Sequence, residues 1–413
     1  MNDLDRQMLA LLEEDARKAP PVPDASAALR RTSRRQVAFA VSAVAMVAAI
    51  AVGSIAGVSA LVRTSERRIP IGPGETPTPP PVTGFACPSG SAPDQPGPTD
   101  RPRPKDDYAY AATAFDPNSG RMLLLTTDGA FWTFDVCANT WETAPGPDGI
   151  RGGLEELVYD VDSDRAIAIE RASRVARVWT YERDGRTWTE KGQYEAGGIP
   201  EGMFGEPLQA AYDPVTGLVL VRDLHSSAMW TYDVDTDTWA EVDKGAVLPP
   251  VVEGTNDPPV ELLTYDVSVD RLVLYNTKPL STWEFDLRAG RWEEQETNTP
   301  ANPGFGWFAT GEELVYDEAN EVSVLFSGGT AATYDATEHR WTVLEGGVGI
   351  ASAPAGETTR LYFAITYDSV NERVVVAGGD VRVSNLTWGT TDDVIAFDIA
   401  TGQWTTLLEP SAE

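Results

Sequence analysis

Two spaced motifs, each recurring six times through the second part of the chain, restrict the fold more than any other feature. In the first, an aromatic residue and Asp are followed by four residues and then an apolar run. The copies begin Phe115-Asp116, Tyr159-Asp160, Tyr212-Asp213, Tyr265-Asp266, Tyr316-Asp317 and Tyr367-Asp368. They lead into segments such as Met122-Leu123-Leu124-Leu125, Leu218-Val219-Leu220-Val221 and Val374-Val375-Val376. In the second motif an aromatic residue and an acid precede Trp at a fixed offset. These copies run Phe134-Asp135 to Trp141, Tyr181-Glu182 to Trp188, Tyr232-Asp233 to Trp239, Phe285-Asp286 to Trp292, Tyr334-Asp335 to Trp341 and Phe397-Asp398 to Trp404.

Each motif describes a strand, a tight turn opened by an acid that can accept hydrogen bonds from the turn's own amides, and a second strand. Gly120, Gly217, Gly290 and Gly402 supply the positive φ that such turns often need. Two hairpins make four strands, and the unit recurs about every 50 residues, the size of a propeller blade. The second strands are continuously apolar because a blade between two neighbours buries both faces. The expected fold is therefore all-β, a six-bladed β-propeller over residues 108–408, with the repeat tryptophans Trp141, Trp188, Trp239, Trp292, Trp341 and Trp404 cementing adjacent blades.

With these motifs the chain resembles the kelch-repeat family. The Trp at the start of the outermost strand, the aromatic-Asp before it, and the double glycines Gly328-Gly329 and Gly378-Gly379 match that pattern. Blades one to four depart from it, with Thr126-Thr127, Glu170-Arg171, Arg222-Asp223 and Tyr275-Asn276 in place of the glycines. The resemblance implies a propeller that binds proteins, and catalysis only where a metal or cofactor site has been added.

Ahead of the repeats, Val37 to Val62 is a run of 26 residues without a charge. As a helix it would reach ~39 Å, enough to span a ~30 Å hydrocarbon core with tilt. It is too long, and its lead-in too long, for a cleaved signal peptide. The expected organisation is a cytoplasmic head over 1–36, a transmembrane helix over 37–62, a Pro-rich extracytoplasmic linker over 63–107 serving as a stalk, and then the propeller. In the head, Asp3 can cap a helix running to about Lys18, with Leu4, Met8, Leu11 and Leu12 on one stripe. That stripe suits the membrane surface, or a weak cytoplasmic partner. An amphipathic head before a Pro-rich spacer and an Arg cluster resembles those of actinobacterial single-pass proteins, some of them similar to anti-sigma factors. The low share of lysine, 5 of 32 basic residues, fits a high-GC bacterial genome.

Arginines flank the apolar run on both sides and do not settle its orientation. The two cysteines do more: Cys87 in the linker and Cys137 in the propeller read as a disulfide in an oxidising compartment, although spacing alone does not fix the pairing. This places the N-terminus in the cytoplasm and the propeller outside. Residues 106–413 hold 19 basic against 53 acidic residues, a balance that repels nucleic acid and anionic lipid.

The Asp-led turns are short and uniform, whereas the connections between second and third strands and between blades read as long and dissimilar, so binding residues are expected there. The candidates for a ligand face are Tyr194, Phe204, Asn256, Asp257, Phe305, Trp307, Phe308, Arg382, Trp388, Asp392 and Asp393. No catalytic, cofactor or metal site is indicated. Asp160, Asp162 and Asp164, like Asp233, Asp235 and Asp237, lack the glycine and the terminal Glu of a calcium loop. His225 and His339 are too few for a histidine triad or a three-histidine metal centre. The leading functional expectation is a membrane-anchored extracytoplasmic binding or scaffold protein for a protein or cell-wall ligand. Transmembrane signalling with a propeller sensor stands second, and a glycan hydrolase or lyase using propeller carboxylates third.

Overall fold

The computed structural model describes residues 85–105, 108, 111–150, 154–172, 175–191, 208–223, 229–242, 249, 261–277, 279–300, 312–327, 330–344, 360–384 and 387–411. The head and the apolar run expected to span a membrane lie outside these residues, as do residues 63–84 of the expected linker. Among the described residues no helix is long and apolar enough to cross a membrane.

The strands form six antiparallel sheets, each a contiguous stretch of chain. Blade one is β1 (Ala112–Asp116), β2 (Arg121–Leu125), β3 (Phe131–Asp135) and β4 (Thr140–Ala144). Blade two is β5 (Leu154–Asp160), β6 (Arg165–Ala172), β7 (Val175–Glu182) and β8 (Thr187–Glu190). Blade three is β9 (Leu208–Asp213), β10 (Leu218–Asp223), β11 (Met229–Asp233) and β12 (Thr238–Glu241). Blade four is β13 (Glu261–Asp266), β14 (Arg271–Thr277), β15 (Leu280–Asp286) and β16 (Arg291–Gln295). Blade five is β17 (Glu312–Asp317), β18 (Val322–Ser327), β19 (Thr330–Asp335) and β20 (Arg340–Val343). Blade six is β22 (Ala364–Asp368), β23 (Arg373–Ser384), β24 (Thr387–Asp398) and β25 (Gln403–Leu408), with the short β21 (Arg360–Leu361) paired to the far part of β23. The first strand of each blade touches the first strand of the next, and β22 touches β1, so the six sheets close a ring. The chain is an all-β, six-bladed propeller.

The repeats build these blades as their residue types dictate. In the first motif the Asp carboxylate accepts amides two and three residues on: Asp116 from Asn118 at 2.9 Å and Ser119 at 3.1 Å, Asp317 from Ala319 and Asn320 at 3.0 Å. The residue before the second strand is left-handed, at φ 62° for Gly120 and 70° for Gly217, but Asp164 and Glu321 adopt the same conformation at 56° and 54°. Second strands are buried from end to end where neighbours cover both faces, as Val374, Val375, Val376 and Ala377 show.

Each repeat Trp sits directly across from the aromatic that ends the third strand, with ring centroids 4.9 to 5.2 Å apart in all six blades. Such a pair contributes about 0.5–1.5 kcal/mol beyond its buried area. The same Trp packs on the preceding blade: Trp188 edges onto Phe131 of blade one at 5.1 Å and donates its indole N–H to the Pro145 carbonyl at 2.9 Å. Trp341 packs on Tyr275 of blade four and donates to Thr282 Oγ1 at 2.8 Å. Trp141, Trp239, Trp292 and Trp404 join apolar clusters shared with blades six, two, three and five respectively. The expected cement is thus present, and it always reaches backward.

A second tie runs along the inner strands. The tyrosine that ends the first strand sets its hydroxyl beside the buried turn Asp of the preceding blade: Tyr159 by Asp116, Tyr212 by Asp160, Tyr265 by Asp213, Tyr316 by Asp266 and Tyr367 by Asp317. The hydroxyls of Tyr316 and Tyr367 also accept amides of that turn, from Ser268 at 3.3 Å and Ala319 at 3.1 Å. Burial first, and the nearby carboxylate second, hold these phenols well above their ordinary pKa. Blade one alone has Phe115 at this place, so Asp368 of blade six meets no phenol there.

Three expectations are corrected. Residues 85–105, the described part of the expected linker, do not stand off as a stalk but lie against blades one and six. The Cys87–Cys137 disulfide is present, and Gly97 N–H donates to the Leu407 carbonyl at 2.8 Å. The connections between second and third strands are mostly tight: Ala172 pairs with Val175, Thr277 with Leu280 and Ser327 with Thr330. Only the blade-to-blade connections are long. Gly378-Gly379 does not end a strand but bulges within β23, at φ 58° and 110°. A Cβ at Gly378 would fall inside the ring of Tyr108, so the glycine admits that side chain to the core.

Because Trp341 is 2% exposed and serves two blades at once, Trp341→Ala should lower the unfolding free energy by about 3–5 kcal/mol. Denaturant titration followed by circular dichroism checks this, and a loss below 1 kcal/mol would contradict the packing role.

Candidate functional site

The two ends of the ring differ in what their side chains are free to do. At the end carrying the Asp-led turns, the buried acids are consumed by the fold, while others such as Glu182 and Asp235 stay exposed. Asp116, Asp160, Asp213, Asp266, Asp317 and Asp368 are all buried and cap their own turns. Asp164, beside them, takes Asn118 Nδ2 at 2.7 Å and Arg183 at 2.8 Å. His339 lies there as well. Its Nδ1 is 3.0 Å from Glu284 Oε1, which also accepts the Tyr334 hydroxyl at 2.7 Å, so the group binds blade five to blade four.

The opposite end carries the blade-to-blade connections and the β23–β24 hairpin. Here the positions that departed from the double-glycine pattern acquire a meaning missed in the sequence. Ten residues beyond the first-motif Asp, where blade six has Gly378, blades one to four place Thr126, Glu170, Asp223 and Asn276, all buried. Glu170 pairs with Arg177 at 3.0 Å, and that guanidinium lies 5.1 Å over the Trp179 ring. Asn276 reaches Glu261 at 3.4 Å, and Glu261 is ion-paired to the fully buried Arg222 across the boundary between blades three and four. Arg222 in turn stacks 5.5 Å from the Trp292 centroid. Burial pushes the Arg222 guanidinium down to about 10, still charged at neutral pH. These pairs hold fixed charges of both signs, set against indoles, near the strand ends from which the long connections leave. A polar residue ten positions beyond the first-motif Asp, where blade six has Gly378, was the available signal.

Of the ligand-face candidates, Tyr194, Phe204, Asn256, Asp257, Phe305, Trp307 and Phe308 lie outside the described residues. Arg382 and Trp388 are brought together as direct cross-strand partners near the tip of the β23–β24 hairpin. Asp392 and Asp393 follow on the same hairpin but are engaged by the fold. Asp393 is buried against Arg360 at 2.9 Å, and Asp392 lies 3.5 Å from Arg103 and accepts the Ser411 amide at 2.7 Å. Among the described residues no group of three or more His, Cys, Asp or Glu side chains is arranged to hold a metal ion.

No family model and no curated protein matches this chain. Among solved structures it is similar to a structural genomics protein of unknown function from Bacteroides thetaiotaomicron, at 17% identity over 68% of this chain and 70% of that one, with a TM-score of 0.48. It is also similar to YjhT, at 11% identity over 74% of this chain and 99% of that one, with a TM-score of 0.45.

Removing the carboxylate at Glu261 leaves Arg222 buried without its counter-ion. Glu261→Ala should therefore cost about 3–5 kcal/mol, and the double change Arg222→Met with Glu261→Met distinctly less. Urea titration of both variants checks this; equal losses would show that the pair is not acting as a unit.

Proposed function

We propose that this chain is a membrane-anchored binding or scaffold protein that holds a kelch-like propeller outside the cytoplasm and offers the connection end of the ring to a protein or cell-wall ligand. The reading is carried by the asymmetry of the two ends. The first-motif Asp of every blade is occupied in capping its own turn, while the opposite end combines connections of 16 to 19 residues over 191–207, 242–260, 296–311 and 344–359 with an extended hairpin and a layer of fixed charges. Variable connections on a rigid scaffold are where propellers and other repeat folds place recognition. The aromatic candidates Tyr194, Phe204, Phe305, Trp307 and Trp388 are the residue types that dominate binding energy, with Asp257 and Arg382 as polar neighbours.

Placement beyond the bilayer is supported by the disulfide, a bond that persists in oxidising compartments. It is further supported by the uncharged run from Val37 to Val62 and by the acidity of residues 106–413. In this reading 1–36 form the cytoplasmic head, 37–62 the anchor, and residues from 63 onward lie outside.

The test is capture of partners from detergent extract and from cell-wall fragments by the full chain, beside Trp307→Ala and Trp388→Ala variants. Loss of at least tenfold in captured ligand with an unchanged melting temperature is expected. Undiminished capture by both variants would move the binding surface elsewhere.

A further inference from the structure

The ring has one odd joint. Five of its six boundaries carry a tyrosine beside the preceding blade's turn Asp, and the boundary from blade six to blade one does not, because Phe115 has no hydroxyl. Nor does any strand cross this joint, since blades one and six are each built from one continuous stretch of chain. Thr113 of blade one donates its hydroxyl to the Ile365 carbonyl of blade six at 2.5 Å, and the segment 85–105 adds a further set of ties across the same joint. Arg373 of blade six bonds its own Asp368 at 3.2 Å, Asp94 at 3.0 Å and the Pro93 carbonyl at 3.3 Å, and reaches the Val136 carbonyl of blade one at 3.4 Å. Asn139 of blade one donates to the carbonyls of Pro93 and Gln95 at 2.8 Å. Gly97 bonds Leu407, and Arg103 donates to the Glu409 carbonyl at 2.6 Å. Phe85 and Cys87 pack on the apolar cluster shared by blades six and one. The disulfide from Cys87 to Cys137 fixes the start of this segment to blade one.

We propose that residues 85–105 are a clasp that closes the propeller at the one joint no tyrosine hydroxyl bridges, and that the Cys87–Cys137 bond is its lock, so that reduction opens the ring between blades six and one and nowhere else. Cys87 is only partly buried, and a shallow groove bordered by Ser91, Gln95 and Gly97 also borders Cys137, so the lock lies close to the surface. A dithiol entering there attacks one sulfur as its thiolate, and the Cys87–Cys137 bond breaks as a mixed disulfide forms. Its second thiolate then closes the reductant into a cyclic disulfide. Two electrons and two protons pass to the protein, which is left with two thiols. Integrity of the ring thereby becomes conditional on the redox state of its surroundings.

Hydrogen exchange on the full chain, read by mass spectrometry with and without dithiothreitol, tests this. Protection is expected to fall at least tenfold in 88–105, β1 and β22, with β10 and β14 of blades three and four unchanged. The variant Gly97→Ala keeps both cysteines, but its added Cβ would fall inside contact with the Asn139 carbonyl. It should loosen the same joint with the disulfide intact. Unchanged exchange on reduction, or a uniform loss over all six blades, would overturn the proposal; so would a Gly97→Ala variant that exchanges like the parent.

Discussion

Everything in this structure depends on the contact between one blade and the next. A four-stranded sheet with apolar residues on both faces has no independent stability in water, so each blade holds its shape only because neighbours cover it. The tryptophan of every repeat pairs with an aromatic in its own sheet and leans on the sheet before it, so one side chain reports on both levels of organisation. The tyrosine of the first motif does the same at the inner strand, placing a phenol against the acid that shapes the preceding turn. Residues that look like local turn signals are therefore also the joints of the ring.

That economy of residue types explains what was legible in the sequence. Fixed offsets between Asp and Trp survive because both are held to one geometry by a hairpin and a neighbour together, and they identified the blade count, the four strands per blade and the indoles between blades, though not that each indole reaches backward. The Cys87–Cys137 pairing was suggested by there being just two cysteines, in an acidic domain and the segment before it. The clasp was not legible. Residues such as Pro93, Pro96 and Pro98 look the same in a free linker and in a segment laid over a seam, because what decides is the partner groups, Arg373 and Asn139, hundreds or tens of positions away. The tight turns after the second strands were misread for a similar reason: where a strand ends in a mixed polar and apolar run, composition does not mark the bend. Asp392 and Asp393 read in the sequence as residues of a variable connection; the structure places them on the β23–β24 hairpin, beside Arg103 and Arg360.

The division of labour between the two ends follows from the same constraint. Turns that carry the joints cannot vary without loosening the ring, and their acids are already committed to amides and phenols. The pairs Glu170 with Arg177 and Glu261 with Arg222 tie together strand ends at the opposite end of the ring.

The central claim, that buried phenols beside acids help hold the ring, can be tested by spectrophotometric titration of the tyrosines in the intact chain. Nine of them, Tyr108, Tyr159, Tyr181, Tyr212, Tyr232, Tyr265, Tyr316, Tyr334 and Tyr367, have a raised pKa, with burial the first cause in each. A folded-state value above the unfolded one means that the folded chain keeps protons the unfolded chain releases. The associated stability is present below about pH 10 and drains away as pH rises beyond it. The account predicts that absorbance at 295 nm stays low past that point and then rises in one step together with loss of the circular dichroism signal. A gradual rise centred near pH 10 with the fold intact would contradict it.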